Sequence, residues 1–196
     1  MPEECSASTT ASEMLHLTTG SPHLMESTLK LVAELMELSA RTAPKAGGKD
    51  YIVTKVLTGD ELKALADDMV RYGEQAGRLN FDRDAAGVRA AGAVLLVGLK
   101  DARPLLLNCG ACGNAKCADL PKPQDGPEFS GPYCAWRLAD LGIAISSAVK
   151  TASIHNVDNR IMYRIGPVVR KMGLIDADVV LGVPLSATGK NIYFDR

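Results

Sequence analysis

The chain has 196 residues, of which 46% are apolar and 23% charged, and its formal net charge at pH 7 is −1. This length suffices for one sizeable core, and the near-neutral charge excludes a broad basic surface for nucleic acid or for an anionic membrane. The sequence has no apolar run close to the roughly 20 residues that a membrane span needs, and its start lacks the layout of a signal peptide. We therefore expect a cytoplasmic protein whose cysteines stay reduced or bind metal.

Residues 1–22 are rich in Ser, Thr and Glu without periodicity, which predicts a flexible N-terminal arm. Cys5 lies in this arm and is interpreted as a free surface thiol. From residue 23 onward, helical and strand spacings alternate. The predicted helices cover residues 23–41, 60–77, 80–92, 136–157 and 159–174, and the predicted strands cover residues 51–57, 93–100 and 177–185. This order predicts a layered sandwich of helices and strands in a single domain over residues 23–196.

Three local signals refine these predictions. Thr58 and Glu61 match a capping box at the start of the helix that follows them. Asp158 suits the start of a helix, which the pair Gly166-Pro167 would then interrupt. Asp84, in the stretch NFDRD, is expected to cap its helix or to form a salt bridge.

Four of the five cysteines fall within 26 positions, in a segment at about residues 105–136 that interrupts the helix and strand pattern. Two residues between the first pair form a tight turn that aims both sulfur atoms inward. Gly110 and Gly113 follow these cysteines and allow positive φ, which leaves backbone N–H groups near the sulfur atoms. Such donors stabilise the negative charge of a metal–thiolate centre. The predicted metal ligands are Cys109, Cys112, Cys117 and Cys134.

Two metals compete for this site. Structural zinc usually takes two closely spaced cysteine pairs, whereas sixteen residues separate Cys117 from Cys134. A [4Fe-4S] cluster accepts a distant fourth cysteine. The spacing therefore favours a [4Fe-4S] cluster, with zinc as the alternative. Trp136 is expected to shield this centre from water, to pack the segment onto the core, or to do both.

The cysteine block C-x2-C-G-x3-C-x16-C resembles the four-cysteine [4Fe-4S] domain of membrane electron-transport complex subunits and corrinoid iron–sulfur proteins. The stretches LNCGACG, DLGIAISSAVK, NVDNR and GKNIYFDR resemble the bacterial and archaeal family of uncharacterised ferredoxin-domain-containing proteins. This likeness runs from about Met25 to Arg196. It implies an iron–sulfur protein and leaves the substrate open.

Two further stretches resemble nitroreductases. ARTAPKAGGKDYIVTKVLTGDELKALADDM is similar to the nitroreductase turn, strand and capped helix, and DADVVLGVPLSATGK is similar to that fold's last core strand and phosphate-side loop. The resemblance implies an α+β fold, a three-layer nitroreductase-like sandwich into which the cysteine module is inserted. It also implies a candidate site for the phosphate of FMN, or for another phosphate, at Arg41, Lys45, Lys49 and Lys190.

The sequence departs from nitroreductases at this site. Nitroreductases have arginines before the first helix that bind the FMN phosphate, and this sequence lacks them. Lys45 and Gly48 occupy positions where the nitroreductase turn usually has Ser and Asn. We therefore expect FMN binding to be weak or lost. Nitroreductase-like proteins are homodimers, so the resemblance also implies a homodimer, which we expect to use the helices around Leu24–Leu38 and Ile143–Ala152.

Two functions remain open from the sequence. In the first, the protein is an oxidoreductase-type redox protein that passes single electrons to a partner protein, to a small-molecule electron acceptor or to a flavin. In the second, the chain is a non-enzymatic binding or sensing module stabilised by a cluster or by zinc. Neither a hydrolase arrangement nor a Walker-type loop is present.

Overall fold

The computed structural model describes residues 22–194, with side chains from Met25 onward. Residues 1–21 of the predicted arm, with Cys5, lie outside the described residues, and Pro22, the last residue of that arm, begins a helix. The helices are α1 (Pro22–Thr42), α2 (Asp60–Ala76), α3 (Phe81–Arg89), α4 (Ala135–Ile154) and α5 (Ile165–Lys171). The strands are β1 (Ile52–Leu57), β2 (Ala93–Leu99), β3 (Gln124–Asp125), β4 (Ser130–Gly131), β5 (Asp158–Asn159) and β6 (Val179–Ser186). Over this range, no helix combines the length and the apolar character that crossing a membrane requires.

One antiparallel sheet forms the middle layer, with the strand order β1-β2-β6-β5. β2 lies between β1 and β6 and is buried along its whole length, as its continuous apolar sequence AVLLVGL predicts. Ile52 at the start of β1 pairs with Leu99 at the end of β2. Strands β3 and β4 form a separate small hairpin within the cysteine segment.

Helices cover both faces of this sheet. Successive residues of a strand point to opposite faces, so Leu95 and Val97 of β2 pack with α1 and α4. Val94 and Leu96 pack with α2, α3 and α5 on the other face. The arrangement is the predicted three-layer sandwich.

Helix α5 approaches the sheet closely because β6 carries a glycine beneath it. A Cβ atom on Gly182 would lie 2.4 Å from Cγ2 of Ile165. No real Cβ contact is that short, so a side chain at position 182 would push α5 away from the sheet. The glycine therefore sets how closely these two elements pack.

The capping-box prediction for α2 is wrong. Gly59 is the residue before the helix, its φ is 57°, and no side chain caps the helix start. Instead, the backbone N–H of Glu61 donates to the carbonyl oxygen of Thr58 over 3.3 Å. The positive φ at Gly59, which glycine adopts without strain, turns the chain into the helix, so the Thr58 side chain is not needed there.

The region 158–174 also differs from its prediction. Asp158 does not begin a helix; it lies in the short strand β5 and pairs with Ser186 of β6. Helix α5 begins only at Ile165, so Gly166 and Pro167 lie in its first turn and do not interrupt it. Proline fits the first turn because the N–H group that it lacks would have no acceptor within the helix there.

Candidate functional site

Three of the four clustered cysteines lie in the loop between β2 and α4, and Cys134 is the residue immediately before α4. All four are free thiols. Cys134 is buried, Cys112 and Cys117 are partly exposed, and Cys109 is exposed. The peptide bond between Gly131 and Pro132, which leads the chain back towards Cys134, is cis.

The backbone of the first cysteine pair has the predicted positive φ at both glycines. Gly110 has φ 74° and Gly113 has φ 88°, and the N–H of Gly113 donates to the carbonyl oxygen of Gly110 over 2.9 Å. An added Cβ would meet no atom within 4 Å at either position. Glycine is therefore favoured here by the backbone conformation, not by lack of space.

N–H groups lie against the sulfur atoms of three of these cysteines. The backbone N–H of Asn108 donates to Sγ of Cys117 over 3.3 Å, and the indole Nε1 of Trp136 donates to Sγ of Cys109 over 3.2 Å. A longer contact of 3.9 Å joins Nδ2 of Asn114 to Sγ of Cys112. Such donors favour the thiolate over the thiol, and the thiolate is the form that binds metal.

Asn108 also fastens the two sides of the loop together. Its side-chain Oδ1 accepts a hydrogen bond of 2.8 Å from the backbone N–H of Cys117, while its own N–H donates to the Cys117 sulfur. The residue has φ 50°, a left-handed conformation that asparagine tolerates better than most residues. Asn108 therefore holds Cys117 beside the start of the first cysteine pair.

The electrostatic surroundings of Cys109 favour its ionised form. The backbone N–H of Ala111 and then the indole N–H of Trp136 lower the pKa of the Cys109 thiol. A thiolate in this position is a good ligand for a soft metal.

The donor chemistry of the segment fits an iron–sulfur cluster or zinc, since both are bound by thiolates. However, within residues 25–194 no three Cys, His, Asp or Glu side chains lie close enough together to hold a metal ion. A shared metal centre would therefore require the sulfur atoms to lie closer together than they do in this structure.

Arg41 and Lys45, two of the predicted phosphate ligands, are engaged at the end of α1. The Nζ of Lys45 donates to the carbonyl oxygens of Ala40 (2.7 Å) and Arg41 (2.6 Å). Its side chain is only 5% exposed, and burial lowers the pKa of Lys45. Arg41 donates to the carbonyl oxygen of Ile52 and pairs with Asp50 over 3.3 Å. Both cations thus stabilise the helix end.

The other two predicted phosphate ligands lie on exposed segments far apart. Lys49 follows the turn after α1, whereas Lys190 lies two residues beyond Thr188, which borders Met25 at the opposite end of α1. At about 1.5 Å per residue, the stretch of α1 from Met25 to Arg41 is roughly 24 Å long. Within a single chain, Lys190 is therefore not brought together with the other three cations.

Sequence reasoning missed a buried ion pair in the first turns of α4. Arg137 is 1% exposed, and its Nη1 lies 3.0 Å from Oδ2 of Asp140. The arginine also donates to the carbonyl oxygens of Arg103 (2.9 Å) and Ala46 (2.8 Å), and Asp140 accepts from the N–H of Ala46 over 2.8 Å. The signal in the sequence was two opposite charges three positions apart at the start of a largely apolar helix, directly after the fourth cysteine.

Comparison with known protein families gives a match in the C-terminal third of the chain. Residues 130–196 match the model of a family described as uncharacterized protein containing a ferredoxin domain. An uncharacterized protein from Archaeoglobus fulgidus is 48% identical over 169 residues, which cover 86% of this chain and 91% of that protein. The matched region of the family model includes Cys134 and begins after the other three clustered cysteines.

Solved structures with a similar fold are nitroreductases. The FMN-dependent nitroreductase NfnB from Mycobacterium smegmatis, in complex with NADPH, gives a TM-score of 0.56 at 10% identity, covering 83% of this chain and 80% of that one. Nitroreductase CinD from Lactococcus lactis, in complex with nicotinic acid, gives 0.56 at 13% identity, covering 87% and 80%. Nitroreductase A from Vibrio parahaemolyticus gives 0.51 at 13% identity; 83% of this chain is covered, but the chain spans only 59% of that protein. The fold is nitroreductase-like, as the sequence predicted.

Proposed function

Because the chain belongs to the family of uncharacterized proteins that contain a ferredoxin domain, we propose that it is an iron–sulfur redox protein. Its four clustered cysteines would hold one [4Fe-4S] cluster. When bound, such a cluster accepts and gives up electrons one at a time. The proposed ligands are Cys109, Cys112, Cys117 and Cys134.

The observation that carries this proposal is the set of N–H donors around the thiols. Asn108 donates to the sulfur of Cys117 and Trp136 to that of Cys109. Donors of this kind stabilise added negative charge on ligand sulfur, and hydrogen bonds to the sulfur atoms are one of the means by which a protein sets a cluster's reduction potential. They support a redox role because the electron that a cluster gains on reduction adds negative charge at these sulfur atoms.

The residues around the proposed ligands also position them. Asn108 ties Cys117 to the first cysteine pair, and the buried pair of Arg137 and Asp140 fixes the start of α4 three residues after Cys134. Arg137 also donates a hydrogen bond to the carbonyl oxygen of Arg103, which lies just before the cysteine segment. Both ends of the segment are therefore anchored to one rigid helix.

The proposed function does not include a tightly bound flavin. NfnB from Mycobacterium smegmatis is named as FMN-dependent. In this chain, however, Lys45 binds carbonyl oxygens at the end of α1, and Arg41 binds the carbonyl oxygen of Ile52 and the carboxylate of Asp50. We propose that the fold is retained while FMN binding is weak.

The test is the composition and spectrum of the full chain purified without oxygen. The proposal expects about four iron and four sulfide per chain, a broad absorption band in the visible range, and an electron paramagnetic resonance signal after one-electron reduction. A colourless protein with about one zinc per chain would contradict it and would favour the metal-stabilised binding module.

A further inference from the structure

Asp178, the residue immediately before β6, contacts the chain just ahead of the cysteine segment and again near the end of that segment. Its Oδ2 accepts a hydrogen bond of 2.6 Å from the backbone N–H of Asp101, which follows β2. The same oxygen accepts a hydrogen bond of 2.6 Å from the hydroxyl of Tyr133, the residue before Cys134. One carboxylate therefore joins the chain that enters the segment to the chain that leaves it.

The backbone of Asp178 is fixed to the central sheet. Its N–H donates to the carbonyl oxygen of Leu99, at the end of β2, over 2.8 Å, and its own carbonyl oxygen accepts from the N–H of Ser130 in β4 over 2.9 Å. The side chain is only 13% exposed, so water competes little for its hydrogen bonds. Asp178 therefore links the end of the cysteine segment to the fully buried strand β2.

Arg170 of α5 fastens the hairpin of β3 and β4 as well. Its Nη1 donates to the carbonyl oxygen of Glu128 over 2.6 Å, and its Nη2 donates to Oγ of Ser130 over 2.8 Å. Because Arg170 holds the hairpin independently, loss of the contact between Tyr133 and Asp178 should loosen the residues after β4 and leave the hairpin in place.

Cys134 is the cysteine that this contact fixes. It is 5% exposed, and it lies directly after Tyr133 and directly before α4. The other three clustered cysteines lie in the loop and are at least partly exposed. Cys134 is therefore the proposed ligand whose position depends on the attachment of Tyr133 to the sheet.

We propose that Asp178 is a positioning residue for the metal centre, and that it acts through Tyr133 to hold the thiol of Cys134 in place. The role of Cys134 as a ligand rests on the proposed function, whereas the hydrogen bond between Tyr133 and Asp178 exists without a metal. When this hydrogen bond is lost, Cys134 becomes more mobile, and a centre in the segment depends more heavily on the other three cysteines.

The first test needs no metal. The full chain is reduced, freed of metal with a chelator and treated with iodoacetamide, and mass spectrometry follows the alkylation of each cysteine. Tyr133→Phe removes one hydrogen bond to a charged acceptor, so Cys134 should react about tenfold faster. The exposed Cys109 should react at an unchanged rate.

Tyr193→Phe is the control for this test, since Tyr193 is also buried and packs beside Gly87. It should leave the alkylation rate of Cys134 unchanged. Unchanged protection of Cys134 in Tyr133→Phe, or an equal loss of protection in both variants, overturns the proposal.

The second test uses the chain reconstituted with iron and sulfide. Asp178→Asn keeps the shape of the side chain and removes its charge. Asp176→Asn is the matched control, because Asp176 is 87% exposed and, like Asp178, pairs with Lys100. After brief exposure to oxygen, Asp178→Asn should show several-fold more [3Fe-4S] signal by electron paramagnetic resonance than the parent chain or Asp176→Asn. A weakened single ligand gives this signature, whereas a general loss of stability removes all of the iron.

The two tests separate this inference from the proposed function. Equal [3Fe-4S] signals in Asp178→Asn and Asp176→Asn overturn the positioning role and leave the cluster proposal intact. A parent chain that takes up no iron contradicts the cluster proposal, and the alkylation rates then still decide whether Asp178 and Tyr133 hold Cys134.

Discussion

The indole Nε1 of Trp136 donates a hydrogen bond to Sγ of Cys109 over 3.2 Å, although 27 positions separate the two residues. Trp136 lies in the first turn of α4 and Cys109 lies in the preceding loop. The contact therefore links Cys109, the exposed one of the proposed ligands, to the start of α4. It also places an N–H donor on a sulfur atom whose charge would change during a redox reaction.

The first prediction follows from this contact. Trp136→Phe keeps an aromatic ring and removes the N–H donor, so the reduced, more negative centre loses stabilisation. We expect the reduction potential to fall by about 40 mV, which corresponds to one hydrogen bond of about 1 kcal/mol in a one-electron couple. The measurement is a potentiometric titration without oxygen.

Leu138→Ala is the control for that experiment, because Leu138 is an exposed apolar residue on the same turn of α4. It should leave the potential unchanged. A potential that does not move in Trp136→Phe, or that moves equally in both variants, would contradict a role for the indole N–H.

The second prediction concerns the metal ligands. Cys117→Ser should abolish cluster incorporation, or leave a three-cysteine cluster that oxygen converts to [3Fe-4S], because a hydroxyl is a poor ligand for iron. Cys5→Ser is the matched control and should keep the full iron content, since Cys5 lies outside the cluster of four cysteines. Iron and sulfide analysis with absorption spectra distinguishes the two. Full iron and an unchanged spectrum in Cys117→Ser would exclude that residue as a ligand.

The third prediction tests the buried ion pair. Asp140→Ala leaves the guanidinium of Arg137 buried without its carboxylate, so it should lower the free energy of unfolding by about 3–5 kcal/mol. Replacing both partners by apolar residues, as in Arg137→Met with Asp140→Leu, should cost less than the sum of the single changes. Urea unfolding measures Asp140→Ala, the double variant and the two single variants, Arg137→Met and Asp140→Leu, that compose it.

Asp60→Asn provides the comparison at the surface, where Asp60 pairs with Lys63 on an exposed face of α2. That change should leave the midpoint of urea unfolding almost unchanged, because an exposed ion pair contributes little to stability. A loss of stability in Asp140→Ala as small as that in Asp60→Asn would show that the buried pair does not stabilise the fold.

The fourth prediction is that the protein is a homodimer in solution, which light scattering at micromolar concentration tests directly.

The structure shows that the small-residue face of α4, which the sequence suggested as part of the dimer interface, is already covered within one chain. Ala144, Ala148 and Ala152 of the small-residue face are buried against α1 of the same chain. The exposed surface of α4 instead includes Ile143, beside Ser146, Ser147 and Lys150. We therefore expect Ile143→Lys to weaken the dimer, and a monomeric parent protein would contradict the prediction.

The sequence predicted the layers of the fold because periodicity reports burial directly. The apolar residues of α1 fall on one face only when the chain is helical, and the continuous apolar run of β2 has the length of a buried strand. The two-residue strand β5 has no such signal, because its pairing with β6 depends on a neighbour far along the chain.

The hydrogen-bond partners of long charged side chains could not be predicted in the same way. Lys45 looked like a phosphate ligand, yet its Nζ reaches back to the carbonyl oxygens at the end of α1. Arg137 looked like an ordinary helix residue, yet it is buried and binds the backbone of two other segments. A flexible cation binds whichever acceptors the tertiary structure brings near it, and the local sequence does not contain that information.

The last prediction concerns FMN. The protein should purify without flavin, and added FMN should bind with micromolar affinity or weaker. Nitroreductase-like phosphate sites depend on charge-assisted contacts worth about 1.5–3 kcal/mol each. In this chain Lys45 is buried on the end of α1 and Arg41 is paired with Asp50, so each would have to leave its present partner to meet a phosphate.

Calorimetry with FMN on the metal-loaded protein measures the affinity, and Asp50→Asn tests the reason for it. Removing the Asp50 carboxylate releases Arg41 from its ion pair and removes a negative charge 3.9 Å from Nζ of Lys45, so FMN should bind several-fold more tightly. Asp60→Asn, at an acid outside this turn, should not change the affinity. Stoichiometric flavin retained through purification would show that the phosphate site is intact despite these contacts, and no heat at millimolar FMN in either protein would show that the fold has been kept without its flavin site.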